Sequence, residues 1–356
     1  MKIHNFSAGP SILPKEVFEK SAQAVLDFNQ KGLSILEISH RSKDFIAVME
    51  KAQQLIKKIA GLSDDYEVLF LQGGASLQFL MAPYNLLTEN GRAAYIDTGA
   101  WASAAIKEAK KMGTVEVIAS SKDKNYTYIP KIESVGNEFD YLHVTSNNTI
   151  YGTQLKQFPN TTTPLVCDMS SDIFSRQLDF STFDLIYAGA QKNLGPAGAT
   201  IVIIKKDILG KTNRNIPSYL DYQVHIDKES MFNTPPVFST YVTMLTLEWL
   251  ENLGGISVIE KRNQEKASLI YDEIDRNPMF KGVVEVEDRS SMNATFVLTN
   301  ESLKDNFNQL WKEANISGLE GHRSVGGYRA SMYNALPKES VQVLVDVMKE
   351  FETKFG

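Results

Sequence analysis

The sequence predicts an α/β fold: a large unit on a mostly parallel central sheet covered by helices, plus a smaller C-terminal α/β unit. Short apolar runs of strand length alternate with helical patterns up to Leu253. Gly254-Gly255 breaks that rhythm, and the composition differs beyond it. The length of 356 residues suits two domains. The expected division is a large unit over 15–253 and a small unit over 254–356 joined by the N-terminal segment 1–14.

Residues 14–30 place Val17, Phe18, Ala22, Val25 and Leu26 at helical spacing, with Pro14 where a first-turn proline is tolerated. Residues 43–60 repeat the pattern and stop at Gly61. A strand over 66–71 runs into Gly73-Gly74, and a helix is expected over 75–87. Then come a strand over 92–97, a helix over 100–112 and a strand over 114–119. Four more strands are expected over 141–145, 165–168, 185–188 and 200–204. A helix over 240–253 breaks at the paired glycines, and another over 256–276 ends before Pro278. Strands near 283–286 and 294–298, a helix near 303–314 and a last helix after Pro337 complete the small unit. No internal repeat or low-complexity segment interrupts this order.

Composition narrows the function classes. Apolar residues make up 43% and charged residues 22%, a globular rather than a disordered balance. Lys plus Arg is 37 against 43 Asp plus Glu, a net charge of −6. That argues against a nucleic-acid partner, which calls for a basic stripe. No apolar run approaches membrane-helix length, and the first ten residues lack the apolar stretch of a signal peptide. With the single cysteine, Cys167, this points to a cytoplasmic protein without disulfides. Among the five histidines there is no His-x-x-x-His pair, so no metal site is expected.

Three local patterns could carry chemistry. A strand enters Gly73-Gly74-Ala75-Ser76 and then a helix. Free amides at a helix N-terminus bind anions, most often phosphate, although the same residues also suit a plain tight turn. Asp168 ends an apolar strand, where α/β sheets place their ligands; it could equally cap a following helix. Lys192 stands just after another apolar strand, among small residues and glycines. A lysine held there has a lowered pKa and becomes an imine-forming nucleophile; as an isolated residue it could simply be exposed. In chain order the three give a phosphate cradle, a strand-end aspartate and a nucleophilic lysine, the parts that hold pyridoxal phosphate. Trp101 offers a flat face for the ring, or plain core packing.

The chain resembles the phosphoserine aminotransferase family, of the class V, fold type I aminotransferases. The resemblance rests on Asn5-Phe6-Ser7-Ala8-Gly9-Pro10, Ser39-His40-Arg41-Ser42, Gly73-Gly74-Ala75 and Asn148-Thr149-Ile150-Tyr151-Gly152. It continues through Asp168-Met169-Ser170-Ser171, the segment from Ala190 to Gly198, Asn233-Thr234-Pro235-Pro236 and the segment from His322 to Ser331. It implies a pyridoxal 5'-phosphate enzyme that moves an amino group between glutamate and 3-phosphohydroxypyruvate. The products are O-phospho-L-serine and 2-oxoglutarate, in serine biosynthesis, with a further role in pyridoxine biosynthesis in some bacteria. By resemblance Lys192 forms the imine with the cofactor and shuttles the proton, Asp168 pairs with the ring nitrogen, Trp101 stacks on the ring and Thr149 bonds beside it. Ala75, Ser76 and Gln191 hold the cofactor phosphate. Asn233 and Thr234 reach that phosphate from a neighbouring subunit, which implies a homodimer with shared sites.

On the substrate side the resemblance gives Arg329 to the α-carboxylate and His40, Arg41, His322 and Arg323 to the substrate phosphate. Arginine forks suit both anions. His40-Arg41 read alone could be a solvated loop pair. Ser76 departs from the arginine that follows Gly-Gly-Ala in many bacterial members; its hydroxyl can donate to phosphate but carries no charge. An alanine–glyoxylate type aminotransferase has no use for a second anion site. A cysteine desulfurase needs a mobile loop cysteine, whereas Cys167 falls in an expected buried strand. A non-catalytic regulator of the same fold would need a DNA-binding module, and no basic segment offers one.

Overall fold

The computed structural model describes residues 2–132 and 134–356; Met1, the first residue of the segment assigned to the small unit, lies outside them. In chain order the elements are β1 (His4–Asn5), α1 (Lys15–Leu26), α2 (Lys43–Ala60), β2 (Tyr66–Leu71), α3 (Gly74–Leu86), β3 (Arg92–Asp97), α4 (Ala100–Ala109), β4 (Thr114–Ser120), β5 (Tyr141–Thr145), β6 (Leu165–Asp168), β7 (Leu185–Gly189) and β8 (Thr200–Lys205). They continue with α5 (Tyr222–Asp227), α6 (Val237–Asn252), α7 (Ile256–Arg276), β9 (Phe280–Gly282), β10 (Asn293–Leu298), α8 (Lys304–Glu313), β11 (Ile316–Ser317), β12 (Tyr328–Ser331) and α9 (Lys338–Phe355).

Seven strands form the central sheet in the order β2-β8-β7-β6-β5-β3-β4. The neighbours from β7 through β4 are parallel, and β8 is antiparallel to both β7 and β2. The direction of β2 therefore matches that of β7. The carboxyl ends of β2, β3, β5, β6 and β7 share one edge, where open α/β sheets bind ligands. Strands β5, β6 and β7 are buried along their whole length, as their apolar runs require. One apolar cluster packs α1, α2 and α6 on one face of the sheet; a second packs α3 and α4 on the other.

A third cluster joins Phe6, the C-terminal part of α7, α8 and α9 to the three-stranded sheet β12-β10-β9. The N-terminal segment enters it through β1, which pairs with β11. Polar contacts tie this cluster to the central sheet. Asn263 Nδ2 donates to Ser175 O and Asn334 Oδ1, and Asn334 N donates to Asn193 Oδ1, beside Lys192.

Three expectations are corrected. The first helix ends at Leu26, because Asp27 turns extended and Phe28 dives into the core against Tyr241. Its buried stripe is Val17, Ser21 and Ala24, whereas Phe18 and Leu26 are 53% and 77% exposed. The strand expected over 283–286 lies earlier, at β9: Phe280 pairs with Leu298 and fills the core, and Val286 opens an exposed turn. Strand β12 was not expected at all; its four residues follow Gly326-Gly327 directly.

Lys266 of α7 is buried, and its Nζ donates to the carbonyls of Met332 and Tyr333 at 2.9 and 2.8 Å. Burial pushes its pKa down to about 7, and nearby Arg262 acts in the same direction. Between about pH 7 and the ordinary lysine range the unfolded chain holds a proton that the folded chain lacks, so stability rises with pH there. Below that window both states are protonated and this dependence ends. The urea midpoint of the full chain is therefore expected to rise from pH 7 to pH 9. In Lys266→Met the rise shrinks; an equal rise in the variant would contradict a neutral Lys266.

Candidate active site

At the shared strand edge lies a cavity of about 350 Å³, lined among others by Ala75, Ser76, Trp101, Thr149, Asp168, Gln191, Lys192, His322 and Arg329. Most come from the segments that leave the sheet edge, Trp101 from the start of α4, Arg329 from β12 and His322 from the loop before it.

The turn after β2 passes through Gly73 and Gly74, at φ +88 and +65, a region that glycine tolerates. A Cβ on Gly73 would also lie 2.6 Å from Leu77 Cβ. Helix α3 starts at Gly74, so its first amides, including those of Ala75 and Ser76, lack helical acceptors and carry the positive end of the dipole. Trp101 lies in the first turn of α4 and is 39% exposed at the cavity.

Asp168 ends β6, and its Oδ1 accepts from Ser170 N at 2.9 Å. The next residues form turns rather than a helix, so Asp168 caps no helix. Burial raises its pKa, opposed by the Ser170 hydrogen bonds and the charge of Lys192. Lys192 follows β7 by three positions, and its Nζ donates to Thr149 Oγ1 at 2.8 Å. Burial pushes the Lys192 pKa down to about 8; Asp168 opposes this and Arg329 adds to it. Near neutral pH the amine thus keeps an appreciable unprotonated fraction, the form that attacks a carbonyl.

Thr149 sits in the turn after β5. Gly152 closes this turn at φ +84, where a Cβ would lie 2.5 Å from Thr295 Oγ1. Arg329 of β12 donates from Nη1 to Thr149 O at 3.2 Å, while its Nε is buried with no partner among the described residues. A guanidinium held this way keeps donors for an arriving carboxylate. His322 Nδ1 lies 2.7 Å from Ser324 Oγ and also accepts from Ser324 N, so the ring proton is assigned to Nε2. Burial, with Arg329 and Arg323 nearby, lowers the His322 pKa.

The remaining sequence candidates do not line this cavity. Arg41 and Arg323 are exposed, and His40 is half-buried. Asn233 Nδ2 donates to Gln72 Oε1, and Gln72 Nε2 lies 3.4 Å from Thr234 O. Gln72 immediately precedes the glycine turn. Sequence reasoning passed over Ser11, whose hydroxyl donates to Lys192 O and whose amide donates to Gln191 O. Its only signal was adjacency to the Ser7–Pro10 motif. Cys167 is buried, and burial holds its thiol well above the usual range, unlike a mobile sulfur acceptor.

The donor set fits pyridoxal phosphate. Free helix amides suit its phosphate, a buried carboxylate suits its ring nitrogen, and an amine of lowered pKa lines the same cavity, as does the Trp101 side chain.

Comparison with known proteins agrees. The family described as Aminotransferase class-V matches residues 3–344. Phosphoserine aminotransferase of Flavobacterium psychrophilum is 68% identical, over 99% of this chain and all of the relative. The solved phosphoserine aminotransferase of Bacillus circulans subsp. alkalophilus is 45% identical at a TM-score of 0.96, covering 100% of this chain and 99% of its own. A PLP-bound phosphoserine aminotransferase from Trichomonas vaginalis is 34% identical at a TM-score of 0.92, covering 98% and 100%. With this sheet edge, this lysine and these relatives, the chain belongs to the class V aminotransferases and, within them, to the phosphoserine aminotransferases.

Proposed function

We propose that this chain transfers the amino group of glutamate to 3-phosphohydroxypyruvate, giving O-phospho-L-serine and 2-oxoglutarate, with pyridoxal 5'-phosphate held in the cavity. The observation that carries the reading is the Lys192 amine, of lowered pKa, in one cavity with Asp168 and Arg329. The PLP-bound Trichomonas relative supports the cofactor.

Pyridoxal phosphate, when bound, supplies the electron sink that makes the substrate α-proton removable. The amides of Ala75 and Ser76, the Ser76 hydroxyl and Gln191 bind the phosphate. Asp168 would pair with the ring nitrogen, and Trp101 would cover the ring and exclude water. Lys192 Nζ would attach the group, and the same nitrogen would take the substrate α-proton and return it. Thr149 Oγ1 accepts from that nitrogen and fixes its direction. Arg329 turns its free donors to the α-carboxylate, and His322 and Arg323 take part in the phosphate end.

His40, Arg41, Arg323, Asn233 and Thr234 lie outside the cavity of their own chain, which suits a homodimer in which each subunit completes the other's site. The exposed Phe18 and Leu26 suit a covered face of that kind. We read 15–253 as the cofactor unit and 254–356 with 1–14 as the small unit, supported by the separate apolar cluster that gathers Phe6 with α8 and α9. A cytoplasmic place is supported by a lone buried thiol.

Substituting Arg41→Ala tests the phosphate reading. KM for O-phospho-L-serine is expected to rise about 100-fold, the scale of a lost charge-assisted contact, and KM for glutamate less than about threefold. Equal losses for both substrates would remove Arg41 from phosphate recognition.

A further inference from the structure

The residue two positions beyond β12 has no part in the cofactor or substrate reading. Tyr333 is 1% exposed, and its hydroxyl donates to Ala8 O at 2.7 Å. Asn293 Nδ2 donates to the same phenol oxygen at 3.3 Å. Both connections lead back to Lys192.

Ala8 belongs to the N-terminal segment that lies across the lysine. Ser11 anchors that segment through Gln191 O and Lys192 O. Gly9 approaches so closely that a Cβ there would sit 3.3 Å from Lys192 Cγ. Thr149 holds the other end, accepting from Lys192 Nζ at 2.8 Å. Asn293 braces the Thr149 turn as well, since Asn147 Nδ2 donates to Asn293 Oδ1 at 2.8 Å. The support on the lysine stem and the support on its nitrogen therefore meet at one hydroxyl.

A hydroxyl has one proton. That of Tyr333 is committed to Ala8 O, so its oxygen can only accept, as it does from Asn293. Asn293 in turn ties the phenol to the turn that carries Thr149, the acceptor of the Lys192 N–H. Burial holds the Tyr333 phenol up at about 12, so it remains the donor over the working range.

We infer that Tyr333 is a positioning residue for Lys192, fixing the lysine stem through Ala8 and the lysine nitrogen through Asn293 and the Asn147–Thr149 turn. It touches no reacting atom. The inference rests on Lys192 as the reacting amine. The charged groups that act on that amine are Asp168, Asp172 and Arg329, and a Tyr333→Phe change leaves all three in place.

The test compares Tyr333→Phe with Tyr66→Phe in the full chain. Tyr66 is a buried tyrosine away from the site whose hydroxyl shares its one proton between the carbonyl oxygens of Ser181 and Phe183, each 3.0 Å away. The first readout is the pKa of Lys192, taken from the pH dependence of its labelling by acetic anhydride before the cofactor is added and read by mass spectrometry. In Tyr333→Phe this pKa is expected to fall, because the protonated amine loses a well-placed acceptor and gains more from one than the neutral amine does. The second readout, on the loaded enzyme, is an expected kcat loss of about tenfold, with KM for glutamate and O-phospho-L-serine within about twofold. Tyr66→Phe should change neither.

If Tyr333→Phe merely lowers the thermal midpoint, with the Lys192 pKa and kcat unchanged, Tyr333 is a packing residue and the inference is wrong. Gly9→Ala, which leaves Tyr333 in place, carries the same test should Tyr333→Phe not fold. A lower kcat at unchanged KM supports the strap on the lysine stem, and an unchanged kcat overturns it. Failure of the Lys192 reading itself would show differently, as turnover retained in Lys192→Ala.

Discussion

Replacing Lys192 with alanine is expected to lower kcat by at least about 10⁴-fold, because one nitrogen serves as both the attachment point and the proton carrier. Nothing nearby can substitute for it. Lys266 is buried against the carbonyls of Met332 and Tyr333 and does not line the cavity. Arg329 shares the cavity but stays protonated near neutral pH. The loss should be chemical rather than structural, since removing an amine that is held at a desolvation cost does not weaken the fold. A stopped assay with glutamate and 3-phosphohydroxypyruvate, together with a melting curve, checks both halves. Turnover within tenfold of the parent would remove Lys192 from the chemistry.

Replacing Asp168 with asparagine is expected to lower kcat by about 10²–10³-fold, the scale on which one preorganised electrostatic group acts. The asparagine keeps the size of the side chain and an oxygen for the Ser170 amide, so the turn after β6 should survive. What it lacks is a negative charge at the buried end of the cavity. The same charge opposes the burial shift on Lys192, so its loss should also lower the Lys192 pKa below about 8. The check is a kcat measurement beside the Lys192 labelling titration. An unchanged rate would show that this carboxylate does not face the ring nitrogen.

Much of this was legible in the sequence because the signals are local. A strand ending in Asp168, a strand followed by Lys192 and a strand entering Gly73-Gly74 each occupy fewer than ten residues, and the sheet brings their ends together. The brace around Lys192 was not legible. Ala8 meets Tyr333 across 325 positions and Ser11 meets Lys192 across 181, and neither partner carries a local pattern. Strand β12, which presents Arg329, has only four residues after two glycines, too few for a period-two pattern to stand out. The first helix was legible as a helix but not in its buried face. Apolar spacing singled out Phe18 and Leu26, and the chain itself covers neither. His40, Arg41, Asn233 and Thr234 mark the same limit, since none of them lines the cavity of this chain.

The central claim is a phosphate-selective transaminase built on Lys192. The most direct test is the visible absorbance of the full chain loaded with pyridoxal phosphate, before and after O-phospho-L-serine, with alanine as the control and Lys192→Ala alongside. The account predicts a yellow band in the parent that O-phospho-L-serine bleaches and alanine does not, and no lysine-linked band in the variant. A band that alanine bleaches as readily as O-phospho-L-serine, or an identical band in Lys192→Ala, would contradict it.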